Sequence, residues 1–150
     1  MATYTTAKFR ESGARNPVAP YNVKLVKHTL SAALAQATGD VLKVLKLPKG
    51  VVVIPSECYV GAFGDPDSGN NATVSLKYTD GTTTKTIIAT GNLQAADTAL
   101  AGTADMLYTN DFHVTDNDDY YVYLTAEAND VDISTVLGFR ITFVADPGLV

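Results

Sequence analysis

Apolar and polar residues alternate along most of this chain, in short runs that are separated by turn residues. The clearest runs are residues 72–78, 120–128 and 136–144, which are rich in β-branched and aromatic side chains. In the last run an apolar residue recurs at every second position from Leu137 to Phe143, as on one face of a β-strand. The pattern predicts strands rather than helices over most of the chain.

Further runs of the same kind predict strands at residues 21–28, 41–47, 51–54, 57–63 and 83–90, and weaker ones at 105–109 and 112–115. Asp80-Gly81 stands between two of the strand-like runs, and this dipeptide in such a place predicts a tight β-hairpin. Pro48-Lys49-Gly50 predicts a turn. Pro55 predicts a break or a strand edge, because proline cannot donate to a β-ladder.

Two segments have no clear strand pattern. Residues 31–38 are rich in alanine and have some helix propensity, but the segment is too short to form a stable helix alone. We expect it to continue the preceding strand. Residues 91–102 are small and polar, and predict a loop or a single helical turn.

About eight strands and no helix of ordinary length predict an all-β fold. One sheet of that size would leave an apolar face bare, so we expect two packed antiparallel sheets, a β-sandwich. Residues 1–20 are polar and lightly basic, with glycine and proline that interrupt regular structure. They predict an extended N-terminal arm with a short strand near residues 3–9, or else a frayed terminus. The expected organisation is an arm, residues 1–20, and one sandwich domain, residues 21–150.

Composition limits the classes of function. The net charge is −5, yet residues 1–50 hold eight Lys or Arg against two acids, whereas residues 51–150 hold three against fourteen. An acidic chain without a dense basic run is a poor nucleic-acid ligand, and no apolar run approaches the roughly 18 residues of a membrane span. The N-terminus lacks the apolar core of a signal peptide. Cys58 is the only cysteine and lies in an apolar run, so we expect a buried, inert thiol in a chain made and folded in a reducing cytoplasm.

The residue types needed for catalysis are scarce. His28 and His113 are the only histidines, and neither adjoins a nucleophile motif, so a hydrolytic triad is not expected. Together with one cysteine they are too few for a zinc site. The sequence therefore predicts no catalytic residue, no metal site and no cofactor.

Three acidic segments invite comparison with metal loops. Residues 65–71 begin like a calcium loop, but Gly69 stands where a third ligand belongs and Leu76 stands where a bidentate glutamate belongs. Residues 116–119 and 129–132 could gather carboxylates at one rim of a sandwich. The favoured interpretation is that their Asp and Asn side chains cap turns and keep the surface soluble.

The stretch from Gly39 to Gly81 resembles a known family. It contains, in order, GDVLKVLKLPKG (residues 39–50), a valine run, Asp67-Ser68-Gly69 and the alternating strand before Asp80-Gly81. In this it resembles small structural proteins of tailed bacteriophages, in particular the capsid decoration, or cement, proteins of podovirus-like heads. The resemblance covers residues 22–90.

The resemblance implies a jelly-roll-like sandwich that trimerises on the outside of the capsid, near local three-fold positions. There it would clamp neighbouring subunits of the major capsid protein, as a virion component with no catalytic residues and no small-molecule substrate. On this hypothesis the basic residues of the arm, Lys8, Arg10 and Arg15, bind the capsid along an acidic groove.

A different function remains open. A recognition module of a phage tail or baseplate would bind host polysaccharide through Tyr120, Tyr121 and Tyr123, because aromatic rings stack on sugars. At a spacing of two, however, Tyr121 and Tyr123 also suit a sheet face as core or interface aromatics. An enzyme of sandwich fold is the least favoured class, because histidine is scarce and catalytic motifs are missing.

Overall fold

The computed structural model describes residues 1–7, 9, 21–63, 72–93, 100–102 and 113–145. Ten strands lie within these residues: β1 Thr3–Thr5, β2 Tyr21–Thr29, β3 Val41–Lys46, β4 Val51–Val53, β5 Tyr59–Phe63, β6 Thr73–Thr79, β7 Thr84–Asn92, β8 Leu100–Ala101, β9 Tyr121–Ala128 and β10 Val136–Ala145. Two short 3-10 turns, Gln36–Thr38 and Pro55–Glu57, interrupt them. The predicted all-β class is confirmed. Within the described part of the chain, no helix is long and apolar enough to cross a membrane.

The strands form two sheets. Sheet A has the order β1-β3-β9-β6-β7, and sheet B has the order β2-β10-β5-β8, with β4 also paired to β10. Among these described strands every pairing is antiparallel except that of β1 with β3, which is parallel. The predicted two-sheet sandwich is therefore confirmed, and the parallel edge strand is a departure from the antiparallel expectation.

The pairing of the strands is nested. β6 pairs with β7, β5 with β8, β3 with β9, and β2 with β10. Such nesting results when one long antiparallel hairpin is rolled into two layers, which is the jelly-roll topology. The contacts of β9 with β6 and of β10 with β5 then complete the two sheets.

The hydrophobic core lies between the two sheets. On β10 the four alternating residues predicted to share a face are all buried: Leu137, Phe139, Ile141 and Phe143. From sheet A they meet an equally buried set that includes Leu42, Leu76, Tyr78 and Leu124. Strand alternation alone therefore accounts for most of the core.

A bulge adapts β3 to its inner position in sheet A. The register of β3 on β9 shifts between Lys43 and Leu45, so that Val44 and Leu45 are both buried. Lys43 and Lys46 remain on the solvent side. The predicted inner strand with lysines that reach water is confirmed, and the bulge is what lets a run that is apolar on both sides fit there.

The expectation that residues 31–38 continue the preceding strand is wrong. Leu34 is buried and forms an isolated bridge with Val131, and the 3-10 turn Gln36–Thr38 follows. Gly39 then takes a positive φ of 68°. The reason lies in the topology, because β2 belongs to sheet B and β3 to sheet A, so the chain must cross between layers here.

The turn predictions are confirmed in several places. β6 and β7 form the hairpin at Asp80-Gly81, with Gly81 at a φ of 95°. Gly50 ends the Pro48 turn at a φ of 81°, and Pro55 begins the 3-10 turn that separates β4 from β5.

Four other expectations were wrong or lie beyond the described residues. A strand over residues 112–115 is not found at 113–115, where Thr115 is buried and donates its hydroxyl to the carbonyl of Pro48 at 2.7 Å. β8 lies in the segment expected to be a loop or a helical turn. The predicted strand at 105–109 and the acidic segment 65–71 fall outside the described residues.

Candidate functional site

The first residues of the predicted arm belong to sheet A. β1 pairs with β3, the amide of Thr6 donates to the carbonyl of Lys43 at 3.0 Å, and the Thr6 hydroxyl donates to the carbonyl of Val44. The amide of Phe9 donates to the Thr6 hydroxyl oxygen at 2.9 Å. The candidate capsid-binding residues Lys8, Arg10 and Arg15 lie outside the described residues, and the arm as a separate unit stays a prediction.

Asp40 fixes the start of the chain against the sandwich. Its carboxylate accepts hydrogen bonds from the amide of Ala2 at 2.7 Å, the hydroxyl of Thr38 at 2.8 Å and the amide of Ala35 at 3.1 Å. These bonds, the one from Ala2 first, hold the pKa of Asp40 below its usual value. Because Ala2 directly precedes β1, the carboxylate fixes where the arm begins.

Phe9 packs onto a group of lysines and tyrosines on the outer face of sheet A, which we call the lysine–aromatic cluster: Phe9, Lys43, Lys46, Tyr121 and Tyr123. The Nζ of Lys43 lies 4.3 Å from the ring centre of Tyr121 and 5.6 Å from that of Phe9, and the Nζ of Lys46 lies 5.5 Å from Phe9. Phe9 meets Tyr121 edge-on at 6.1 Å, and Tyr121 lies 5.9 Å from Tyr123. Ammonium groups over aromatic faces attract the ring quadrupole, so the cluster holds its lysines in place.

The neighbouring strand continues this polar face. Lys77 lies opposite Tyr123 and forms an ion pair of 3.6 Å with Glu127, whose carboxylate also accepts a hydrogen bond of 2.5 Å from Ser75. The outer face of sheet A therefore places positive charge beside half-buried aromatic rings on a chain whose net charge is −5. Such a face suits an acidic protein surface as its partner.

The acidic segments around Asp80 and residues 116–119 cap turns. Asp80 accepts hydrogen bonds from the amides of Thr83 at 2.7 Å and Thr82 at 2.9 Å, and from the side-chain amide of Asn117 at 3.0 Å. These hydrogen bonds lower the pKa of Asp80 to about 2, with the largest effect from the amide of Thr83 and the next from the side chain of Asn117. Asp118 accepts from the amide of Lys49 at 3.0 Å. This is the favoured, turn-capping interpretation of residues 116–119.

The acidic segment at residues 129–132 also caps turns. Asp130 accepts a hydrogen bond of 2.8 Å from the amide of Gln36, and Asn129 takes a positive φ of 59°, as turn asparagines often do. Where the structure describes the chain, no group of three or more His, Cys, Asp or Glu could hold a metal ion.

The environments of Cys58 and His113 are those of residues with a role in packing. Cys58 is buried, and burial raises the pKa of its thiol to about 11, so it stays protonated near neutral pH, as expected for an inert thiol. Nε2 of His113 lies 3.0 Å from the hydroxyl oxygen of Tyr120. Burial first, and the charge of Lys85 next, lower the pKa of His113, which favours the neutral imidazole.

The three tyrosines proposed from the sequence as a sugar-binding group do not form one surface. Tyr120 is buried, whereas Tyr121 and Tyr123 lie on the outer face of sheet A. The lysine–aromatic cluster was not predicted as a site from the sequence. The lysines within an apolar run at 41–47 were a partial indication, but only the strand pairing brings Phe9 and Tyr121 to them.

The nested strand pairing defines the class of the protein as a jelly-roll β-sandwich. No protein-family model matches the sequence, and no curated protein matches it. Solved structures do share its fold. One is a chain of the capsid of Ralstonia phage GP4, with 16% identity and a TM-score of 0.65 over 96% of this chain and 98% of that one.

Two further structures have the same fold. A chain of the cyanophage Pam1 capsid asymmetric unit is 15% identical with a TM-score of 0.57, over 93% of this chain and 96% of that one. A chain of the acid-stable capsid of Helicobacter pylori bacteriophage KHP30 is 17% identical with a TM-score of 0.51, over 83% and 94%. This chain therefore has the fold of chains found in phage capsids.

Proposed function

We propose that this chain is a structural protein of a phage virion that binds the outer surface of the capsid. There it ties neighbouring major capsid protein subunits together as a homotrimer near local three-fold positions. The observation that carries the proposal is the extent of the likeness to the Ralstonia phage GP4 capsid, over 96% of this chain and 98% of that one. The likeness thus extends over nearly the whole of both chains, as expected for two proteins that share one architectural task.

The binding surface we propose is the lysine–aromatic cluster together with the basic arm. Phe9 is fixed against Lys43 and Lys46, and it stands in the sequence between Lys8 and Arg10. Two of the candidate arm residues are therefore the sequence neighbours of a residue that contacts the lysines of sheet A. A basic surface formed by both would bind an acidic groove between capsid subunits, and charge complementarity would guide its approach.

Binding requires no reaction, and we propose that the protein is not an enzyme. Its task would be to bury surface between capsid subunits, for which a stiff sandwich is well suited. Many symmetric copies on one shell would hold firmly even if each single contact were weak, because linked contacts act through effective concentration.

The polysaccharide-binding alternative receives less support from the geometry. Lys43 lies over the ring of Tyr121, and the edge of Phe9 meets the same ring. Tyr120 is buried. The aromatic surface is therefore already in contact with other side chains, which does not suit an open platform for sugar stacking.

The test uses phage heads prepared without this chain. Wild-type protein is added back, and bound protein is measured by co-sedimentation and located by negative-stain microscopy. We expect Lys8→Glu/Arg10→Glu/Arg15→Glu and the single variant Lys46→Glu to bind less, the triple variant by at least about tenfold. Substitution is preferred to deletion of the arm, because deletion would also remove β1.

Lys85→Glu is the matched control for Lys46→Glu, since it makes the same change of charge on β7, away from the cluster. Circular dichroism checks that every variant keeps its β-sheet content. If wild-type protein fails to bind heads, the proposed function is wrong. If wild-type protein binds heads and the arm and cluster variants bind them equally well, the proposed function stands and the proposed binding surface is wrong.

A further inference from the structure

The first half of β2 carries its apolar side chains on the side that faces away from the core. The register of sheet B sets the buried residues Phe143, Ile141, Phe139 and Leu137 of β10 opposite Asn22, Lys24, Val26 and His28 of β2. Directly opposed residues of an antiparallel pair lie on the same face. Tyr21, Val23 and Leu25 therefore lie on the outer face, where they are 48%, 39% and 74% exposed.

This arrangement reverses the usual order for a strand at the surface. An antiparallel sheet with one wet face normally buries its apolar residues and exposes its polar ones. In the first half of β2, Asn22 and Lys24 lie on the core side, and the apolar residues lie outside. Contiguous exposed apolar surface on a folded protein is typical of a site that another protein covers.

The same outer face continues across β10 and β5 with half-buried residues, and Thr142, which lies opposite Val23, is buried there. Arg140 lies between Leu25 on one side and Tyr59 on the other, and its guanidinium carbon is 5.6 Å from the Tyr59 ring centre. Val144 lies opposite Tyr21. We call this surface the apolar face of sheet B: Tyr21, Val23, Leu25, Tyr59, Arg140 and Val144.

One end of this face is flat. Gly138 of β10 pairs directly with Gly61 of β5, in the row that follows Leu25, Arg140 and Tyr59, so neither residue of that pair raises a side chain above the sheet. A glycine pair of this kind allows close approach of another backbone.

The apolar face of sheet B carries little negative charge. Among the described residues, its acidic neighbour is Glu57, whose carboxylate accepts a hydrogen bond of 2.6 Å from the hydroxyl of Tyr21. The outer face of sheet A presents Lys43, Lys46 and the ion pair of Lys77 with Glu127. The outer face of sheet B also carries positive charge, at Arg140 and at Lys27, which lies opposite Gly138. The two outer faces therefore differ in the exposed apolar residues of β2 rather than in the presence of charge.

We infer that a second copy of this chain covers the apolar face of sheet B. Interfaces between identical subunits are richer in apolar surface and poorer in charge than transient ones. Copies with a net charge of −5 repel one another, and they would meet most easily where acidic groups are fewest. β2 is the outermost strand of sheet B in the described structure, so a second copy can approach it from the side as well.

The inference rests on the proposed function only in one respect, that the protein assembles from several copies. It adds the surface through which the copies contact one another. The test measures the molar mass of the purified full chain by light scattering and by sedimentation equilibrium over a range of concentrations. The test variant is Leu25→Glu, whose site is exposed, so the core is not altered. The control is Ile133→Glu, which makes a similar change at an apolar residue that is 60% exposed in the loop between β9 and β10.

We expect the wild-type chain and Ile133→Glu to form the same oligomer. We expect Leu25→Glu to raise the dissociation constant by about 30-fold or more, as for the loss of a central contact, while its circular dichroism spectrum stays unchanged. A wild-type chain that stays monomeric at all concentrations would overturn the inference. So would a Leu25→Glu oligomer as stable as that of wild type.

Binding to phage heads, measured on the same variants, separates this inference from the proposed function. If Leu25→Glu is monomeric and wild-type protein does not bind heads, the inference stands and the function is wrong. If wild-type protein binds heads and Leu25→Glu keeps its mass but loses head binding, a capsid subunit covers the face and the inference is wrong.

Discussion

Two carboxylates of this protein hold backbone segments in place by accepting hydrogen bonds from backbone amides. Asp40 binds the amides of Ala2 and Ala35, and Asp80 binds those of Thr82 and Thr83. In both cases hydrogen bonding favours the ionised form and lowers the pKa of the group. From the sequence alone these two acids would be taken for solvated surface charges. In the structure Asp40 fixes the N-terminal residues and Asp80 fixes the β6–β7 hairpin.

The pKa of Asp80 leads to a prediction of pH dependence. It falls from 3.8 to about 2 on folding, so the ionised carboxylate stabilises the native state fully above about pH 4. This stabilisation is lost as the pH falls toward 2. We expect Asp80→Asn to melt at a lower temperature than wild type at pH 6, and the difference to shrink toward pH 2.

Thermal melts followed by circular dichroism between pH 2 and 6 would measure this. Asp119→Asn serves as control, because it removes a charge from the neighbouring loop without changing the turn. A constant difference between wild type and Asp80→Asn over the whole range would contradict the assignment.

A second prediction at the residue scale concerns the core. Leu124 lies fully buried in the middle of β9. Leu124→Ala should lower the free energy of unfolding by about 2–5 kcal/mol, because apolar contact is lost and a cavity remains. Ile133→Ala, at an exposed apolar residue, should change it by no more than about 0.5 kcal/mol. Urea denaturation would show both values, and similar losses for the two variants would contradict the placement of Leu124.

At the scale of elements, the sandwich depends on close approach between chain segments from different sheets. A Cβ atom added at Gly102 would lie 2.2 Å from the carbonyl oxygen of Pro55 and 2.7 Å from that of Ile87. Pro55 begins the 3-10 turn beside sheet B, and Ile87 belongs to β7 of sheet A. Gly102 therefore lies where the two layers come together.

Gly102→Ala should destabilise the protein by about 1–3 kcal/mol, or prevent folding, because backbone atoms would have to move apart. Gly91→Ala is the matched control. The atoms nearest to a Cβ there belong to the side chain of Leu100, at 2.9 Å, and that side chain can turn aside. Chemical denaturation of both variants measures the effect, and an equal or larger loss for Gly91→Ala would show that the approach at Gly102 is looser than described.

At the scale of the whole molecule, the two sheets share a core and present different outer surfaces. Sheet A carries the lysine–aromatic cluster, and sheet B carries the apolar face around Leu25. A protein that assembles with its own copies and also binds a second kind of subunit needs two such surfaces. The proposed attachment to the capsid is electrostatic, whereas the inferred contact between copies is hydrophobic.

This difference predicts different responses to salt. Raising the salt concentration from about 50 to 500 mM screens exposed charges, so attachment to heads should weaken, and it should weaken more for wild type than for Lys46→Glu. The mass of the oligomer should not fall, because apolar contacts do not depend on exposed charge. Co-sedimentation and light scattering on the same samples would measure both, and an oligomer that dissociates in salt would contradict a hydrophobic contact.

Much of the fold could be predicted from local patterns. The strands β6, β9 and β10, the Asp80-Gly81 hairpin and the break at Pro55 follow from alternation and turn chemistry, which act between near neighbours. The segment 31–38 was wrongly expected to be strand, because nothing local shows that β2 and β3 lie in different sheets. Of the candidate site, the basic arm could be proposed from charge, but the cluster of Phe9, Lys43 and Tyr121 depends on contacts distant in sequence.

By itself the sequence determined that this chain is an all-β sandwich with a tight β6–β7 hairpin and an inner β3, because side-chain alternation and turn residues limit the backbone locally. Only the tertiary structure decided which side of each strand faces the core. In β2 the alternation alone would favour burial of Tyr21, Val23 and Leu25, yet pairing with β10 places Asn22 and Lys24 on the core side. Alternation divides a strand into two faces without choosing between them, and the choice depends on the register with a strand more than a hundred residues away.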